Sequence, residues 1–313
     1  GDGYGDLAVG AMFHDGGHSN EGRVSVYRGS AGGPLATPSW TFESDQTAAA
    51  FGNSVAPAGD FDGDGYADLM IGAFTYDGGE TDEGLMRVYL GSATGLSGTS
   101  YINHTCGQQG ARLGHCVSGA GDINGDGLSD ILAGAPLHDG LGEDTGRAMA
   151  WFGKPRLHKI TASWMFTAQQ GSYGNRTLRG VFADWNADGY EDLTLGDGND
   201  DNNNGSVRVF YGAKNGLPAS PDWVIHGDGP FGGLGSSLAS AGDVDGDGYA
   251  DLLVGSPGMI IGGEYRGIGE VRLYRGSANG LAPAPSHVLH GDNDTGFGFA
   301  VAGAGDLNGD GFA

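Results

Sequence analysis

The segment Ala58-Gly-Asp60-Phe-Asp62-Gly-Asp64-Gly-Tyr66-Ala-Asp68-Leu-Met-Ile-Gly72-Ala73 decides how the rest of the chain is read. With Asp60 as position 1, carboxylates stand at positions 1, 3, 5 and 9. Glycines at positions 4 and 6, Gly63 and Gly65, permit a turn tight enough to aim alternate side chains at one centre. A plain hairpin accounts for one Asp-Gly pair. It does not account for four acids at this spacing. Two carboxylates about 4 Å apart repel by about 4 kcal/mol at an effective dielectric near 20, so such a cluster calls for a cation or for protonation.

The phrase recurs. Asp122, Asn124, Asp126 and Asp130 repeat it, as do Asp184, Asn186, Asp188 and Asp192, and then Asp243, Asp245, Asp247 and Asp251. A half copy opens the chain with Asp2, Tyr4 and Asp6, and another closes it with Asp306, Asn308, Asp310 and Phe312. Calcium takes six to eight hard oxygen ligands at about 2.3–2.6 Å, which suits these sets. The side-chain oxygens are predicted ligands, joined at position 7 by the backbone carbonyls of Tyr4, Tyr66, Leu128, Tyr190, Tyr249 and Phe312. Loops are thus expected near 1–6, 60–68, 122–130, 184–192, 243–251 and 306–313, holding about four or five Ca²⁺ ions in all. An EF-hand would place an acid at position 12 and continue into a helix. Position 12 here is Ile71, Ala133, Leu195 or Val254, and strand-like sequence follows.

The first acids of successive loops, residues 60, 122, 184, 243 and 306, lie 62, 62, 59 and 63 residues apart. That period fits propeller blades and is long for helical repeats. Each period holds four strand-like runs. A small-residue run such as Phe51–Gly59 precedes the acid loop, and a short apolar run such as Asp68–Gly72 follows it. An alternating run comes next: Arg23-Val-Ser-Val-Tyr27, Met86–Leu90, Ser206–Tyr211 or Glu270–Tyr274. The fourth run carries a large apolar residue, with Trp40, Trp164 and Trp223 in phase and expected in the core. The fold expected is all-β: a β-propeller of four-stranded antiparallel blades, one domain over residues 1–313. The sequence holds about five blades' worth of strands, read as part of a larger ring of about seven blades, with a closed five-bladed ring as the alternative.

Composition agrees. Glycine supplies 65 of the 313 residues without a collagen period, and the hydrophobic fraction of 38% is enough for a core. The formal charge is −24, from 15 Lys+Arg against 39 Asp+Glu, which argues against nucleic acid as a partner. Eighteen of those acids stand at the predicted ligand positions of the loops. No apolar stretch approaches the roughly 20 residues that span a bilayer. Cys106 and Cys116 flank a Gly-rich turn and are read as a disulfide joining adjacent strands, with two buried thiols as the alternative.

Phe51-Gly52, Leu113-Gly114, Leu234-Gly235 and Phe297-Gly298 alternate with Gly72-Ala73, Gly134-Ala135-Pro136 and Gly255-Ser256-Pro257. In these phrases, in the acid loop and in the period, the chain resembles the FG-GAP repeats of the integrin α-subunit N-terminal propeller and its bacterial relatives. The fourth unit departs from the pattern, with Leu178-Arg179-Gly180 and Gly196-Asp197-Gly198 in place of the two phrases. The resemblance implies cell-surface adhesion.

No zinc-protease, nucleophile-elbow or phosphate-loop motif appears, so no catalytic residue is assigned and a non-enzymatic role is expected. His14-Asp15-Gly16, Tyr76-Asp77-Gly78 and His138-Asp139-Gly140 recur in phase, which points to turn chemistry more than to a catalytic site. The expected function is an extracellular, secreted or cell-surface module that binds a protein or glycan on a loop face, alone or beside other domains of a longer polypeptide. The alternatives are the accessory propeller of a secreted lipid- or polysaccharide-degrading enzyme and a structural unit of a surface assembly.

Overall fold

The computed structural model describes residues 3–99, 101–140, 142–155, 162–167, 178–228, 232–261, 264–266, 269–292, 296–309 and 313. The chain divides into two compact units, one of Gly1–Gly121 with Gly127–Gln169, the other of Asp122–Asp126 with Gln170–Ala313.

The first unit holds three antiparallel sheets. One is three-stranded: β1 (Leu7–Ala11), β2 (Arg23–Tyr27) and β3 (Trp40–Glu43). The next runs β4 (Ser54–Gly59), β5 (Asp68–Ala73), β6 (Leu85–Tyr89), β7 (Tyr101–Thr105), and the third β8 (Cys116–Gly119), β9 (Ile131–Ala135), β10 (Arg147–Trp151), β11 (Trp164–Thr167). The second unit holds β12 (Leu178–Ala183), β13 (Asp192–Asp197), β14 (Ser206–Phe210) and β15 (Trp223–His226), with a single helical turn, α1 (Asp200–Asn203), before β14. Its other main sheet contains β16 (Ser237–Gly242), β17 (Asp251–Ser256), β20 (Glu270–Tyr274) and β21 (His287–His290). A two-stranded ribbon, β18 (Met259–Ile261) and β19 (Glu264–Arg266), lies between β17 and β20 in sequence. Each main sheet is a meander in which successive strands pair, β17 with β20 past the ribbon, the pattern of a propeller blade.

Strand chemistry follows position. Every residue of the second strands β5, β9 and β13 is buried. That suits their continuous apolar runs. The first strands are sheet edges, so Pro57 in β4 breaks no ladder bond on its outer side. β4 and β16 each end in a register shift, between Pro57 and Gly59 and between Ser240 and Gly242, and Gly59 and Gly242 have φ of 64° and 79°. These bulges turn the chain into the acid loop.

Blades meet through apolar contacts. Ala58, Phe61, Met86, Leu113, Ile131, Met149 and Trp151 share one core in the first unit. Trp40 meets Tyr89 of the next blade edge-on at 4.9 Å, and Trp223 meets Tyr274 in the same way at 5.3 Å. The in-phase tryptophans are therefore packing residues. The glycines of the recurring phrases explain themselves here. The Gly52, Gly114 and Gly235 amides donate to the carbonyls of Gly72, Gly134 and Gly255 at 2.9, 3.1 and 3.0 Å. A side chain on Gly10, Gly72, Gly196 or Gly255 would overlap the carbonyl of Gly52, Gly114, Gly235 or Gly298 in the following blade.

One strand expectation changes. The run before the last loop, residues 299–305, forms no strand among the described residues. In the four-stranded blades such a run pairs with the strand after the acid loop. The connection from β17 to β20 carries the β18–β19 ribbon, which the sequence reading does not include.

Candidate cation-binding loops

The acid loops connect first to second strands, and their own carboxylates shape them. Asp60 accepts the Asp64 and Gly65 amides, both at 2.9 Å, and Asp62 accepts the Asp64 amide at 3.3 Å. Asp64 accepts the Tyr66 amide at 2.9 Å. Asp184, Asn186 and Asp188 repeat these bonds to the Asp188, Gly189 and Tyr190 amides, and Asp243, Asp245 and Asp247 repeat them to Asp247, Gly248 and Tyr249. The Asp126 amide likewise donates to Asp122 and Asn124 at 3.0 and 2.9 Å. Gly63 and Gly65 have φ of 73° and 90°, the left-handed turn that the spacing calls for. In the fourth repeat Ala187 occupies position 4 with φ of 53°.

The result is convergence. One oxygen each from Asp60, Asp62 and Asp68 lie within 4.8 Å of one another, and so do oxygens of Asp243, Asp245 and Asp247. Two oxygens bound to one calcium at about 2.3–2.6 Å can be no more than about 5 Å apart, so both groups fit a single ion. Asp64 and Asp251 fall outside these groups of three. Asn186 differs from the acids at its position, donating through Nδ2 to Asp188 at 3.0 Å. Arg275 reaches Asp245 at 2.5 Å.

Position 9 has a second task that the spacing does not announce. One oxygen of Asp6, Asp68, Asp130, Asp192 and Asp251 accepts the amide of Gly29, Gly91, Gly153, Gly212 and Gly276, at 2.9, 2.7, 2.8, 2.8 and 2.9 Å. In three loops the other oxygen accepts the position-2 amide, from Phe61, Trp185 or Val244. This acid straps the loop to the end of the third strand. The glycine partners recur after each third strand, as in Tyr89-Leu-Gly91 and Tyr274-Arg-Gly276, and that recurrence is the signal that could have found them.

Burial sets the electrostatics. It pushes Asp68 up to about 6 and Asp192 up to about 7, against the amide bonds that favour the charged form. Asp251 is raised for the same reason, and Asp62 by burial and then by the charges of Asp64 and Asp60. Asp243 is lowered, chiefly by the Gly248 amide. Buried acids that resist ionisation beside other acids are the donor set a divalent cation would neutralise.

Of the remaining predicted ligands, Tyr4 and Asp6 lie in the first loop, and Asp306 accepts the Gly309 amide at 2.6 Å beside exposed Asn308. Asp2, Asp310 and Phe312 lie outside the described residues. The expected disulfide is not formed. Cys106 follows the outer strand β7 of one blade, with Sγ 3.1 Å from the Glu83 carbonyl, whereas Cys116 opens the first strand β8 of the next blade. The ten-residue spacing is a passage between blades, not a hairpin. The in-phase Asp-Gly turns do act as turns: Asp15, Asp77 and Asp139 accept the amides of Asn20, Asp82 and Asp144 at 2.6, 2.7 and 2.7 Å.

These features define a class, the FG-GAP-repeat β-propeller. The FG-GAP repeat model matches residues 51–85, 117–148 and 234–271, and the chain is an FG-GAP propeller resembling the integrin α N-terminal domain. It is 31% identical to integrin alpha-5 of Xenopus laevis over 234 residues, 69% of this chain and 21% of that protein. Integrin alpha-IIb of Homo sapiens is 32% identical over 227 residues, again 69% and 21%. Phosphatidylinositol-glycan-specific phospholipase D of Bos taurus is 30% identical over 293 residues, 82% of this chain and 33% of that protein. The chain thus spans a fifth to a third of the length of these relatives.

Proposed function

We propose that residues 1–313 form one extracellular, calcium-stabilised propeller domain that serves as a binding or adhesion module for a protein or glycan ligand. The repeat period running unbroken through both units supports a single domain. The similarity to integrin α chains supports adhesion. The observation that carries the calcium reading is the convergence of three carboxylates in each of two loops.

The cation would be held by positions 1, 3 and 5, by the position-7 carbonyl and by the buried position-9 acid. Ligands would come from Asp60, Asp62, Asp64, Tyr66 and Asp68, from Asp243, Asp245, Asp247, Tyr249 and Asp251, and from the corresponding residues of the other loops. When bound, it supplies the positive charge that the clustered acids lack. Because position 9 also holds the third strand, occupancy would couple loop closure to strand packing. At an extracellular-type affinity near 10⁻⁴ M, about 2 mM calcium stabilises each occupied loop by about 2 kcal/mol.

A second reading, the accessory propeller of a secreted enzyme, is favoured by the similarity to the phospholipase D. Among the described residues no helix is long and apolar enough to cross a membrane. The test is thermal melting in EGTA and in 2 mM calcium, paired with adhesion of the full chain to protein- and glycan-coated surfaces. A calcium-dependent melting rise with calcium-dependent adhesion supports the first reading. Identical melting under both conditions would remove its basis.

A further inference from the structure

We propose that Asn124 is a site of spontaneous deamidation, in which the backbone nitrogen of Gly125 displaces the Asn124 side-chain amide as ammonia. This goes beyond the adhesion reading and does not rest on it. An asparagine followed by glycine is the pair in which the reaction is least hindered, because no side chain stands beside the attacking nitrogen. The chain has five such pairs: Asn124-Gly125, Asn204-Gly205, Asn215-Gly216, Asn279-Gly280 and Asn308-Gly309. In four of them the glycine amide is engaged. Gly205, Gly216 and Gly280 donate to the carbonyls of Asp200, Ala213 and Ser277 at 3.0, 2.6 and 2.7 Å, and Gly309 donates to Asp306 Oδ1 at 2.6 Å. Each would have to give up its acceptor before it could attack. The Gly125 amide donates to no group among the described residues, and Gly125 is exposed to water.

The acid loop also poses the group under attack. The Asp126 amide donates to Asn124 Oδ1 at 2.9 Å. The ring closed by that bond contains the Gly125 nitrogen, so Asn124 Cγ is drawn in beside it. The same donor faces the oxygen that gains negative charge as nitrogen adds to Cγ. Asn186 receives the matching bond from Asp188 at 3.1 Å, but the next residue is Ala187, whose side chain hinders the attack. At Gly125 a side chain would strike the Tyr190 ring, so packing keeps the unhindered residue in place.

The chemistry needs only water. The Gly125 nitrogen bonds to Asn124 Cγ, the Cγ–Nδ2 bond breaks, and Nδ2 leaves as ammonia with the proton lost from the Gly125 amide. Water then opens the resulting succinimide, and nothing is oxidised or reduced. Cleavage of the new bond to Cγ leaves an aspartate. Cleavage on the backbone-carbonyl side leaves an isoaspartate. The first product gives the third loop acids at positions 1, 3, 5 and 9, the set formed by Asp60, Asp62, Asp64 and Asp68 in the second. The second product lengthens the backbone by a methylene and spoils the spacing of that loop.

The test is peptide mapping by mass spectrometry of the folded full chain during prolonged incubation at neutral pH, beside the same chain held in urea. In the folded chain Asn124 is expected to convert at least tenfold faster than Asn204, Asn215, Asn279 or Asn308, with both aspartate and isoaspartate in its peptide. In urea the five rates should draw together, because all five amides are then free. Asn124→Gln should remove the fast signal and leave the other four unchanged. Asp306→Ala frees the Gly309 amide and should speed conversion of Asn308. Conversion of Asn124 no faster than that of the other four in the folded chain, or an isoaspartate yield that Asn124→Gln leaves undiminished, would overturn the site. An unchanged rate at Asn308 in Asp306→Ala would overturn the amide argument that singles Asn124 out.

Discussion

Replacing Gly72 with alanine puts a methyl group 2.9 Å from the carbonyl carbon of Gly114 and closer still to its oxygen. Ordinary contact requires about 3.4 Å or more. Both sides are backbone: Gly72 lies in the fully buried β5, and Gly114 leads into β8 of the next blade. Neither can move without shifting a blade. The same carbonyl accepts the Ser54 hydroxyl at 2.8 Å, and the methyl would crowd that hydroxyl too. Overpacking against rigid structure costs about 1–3 kcal/mol, and the disturbed hydrogen bond adds about 1 kcal/mol. A destabilisation of about 3 kcal/mol follows, and at about 2–4 °C per kcal/mol the melting temperature falls by about 6–12 °C. Calorimetry of calcium-saturated protein measures it. Gly5→Ala is the control, because nothing lies within 4 Å of a methyl placed there. A Gly72→Ala melting temperature within 2 °C of wild type would refute the claim that the paired glycines set the spacing between blades.

Ala187→Gly relieves the left-handed position in the fourth acid loop and should stabilise the protein by about 1 kcal/mol, read as a higher urea midpoint. Glu83 is raised by burial but more strongly lowered by the Gly79, Glu80 and Gly107 amides, so it lies below the usual glutamate range. Its contribution is therefore present above about pH 4.5 and fades as pH falls through the lower folded value. Glu83→Gln should cost about 1–2 kcal/mol at pH 7, with the deficit shrinking as melts are run toward pH 3. In calcium-free protein the sign reverses for Asp68 and Asp192. Their folded values of about 6 and about 7 lie above the ordinary 3.8, so their support is complete below pH 4 and lost as pH rises through 6 to 7. Melting in EGTA should therefore improve from pH 8 to pH 5, and a steady decline over that range would contradict the burial of these acids.

The acid loops and the strand order were legible because both depend on local chemistry. Gly63 and Gly65 had to be left-handed for the carboxylates to converge, and period-2 runs such as Arg23-Val-Ser-Val-Tyr27 can pair only as strands. What escaped notice depends on contacts between distant segments. The bond from Asp68 to the Gly91 amide joins residues 23 apart, and nothing about Asp68 alone announces it. The phrase glycines could be seen, but their reason, a carbonyl of the next blade, could not. The cysteines misled because ten residues around a glycine-rich turn look like a hairpin whether they join strands of one blade or of two.

The most direct test of the account is the amount of calcium the chain holds. Protein stripped with EGTA and dialysed against 2 mM calcium should bind about four or five ions per chain, and Asp60→Asn combined with Asp62→Asn should remove one of them. Binding of no calcium above the buffer level, or an unchanged count in that double variant, would contradict it.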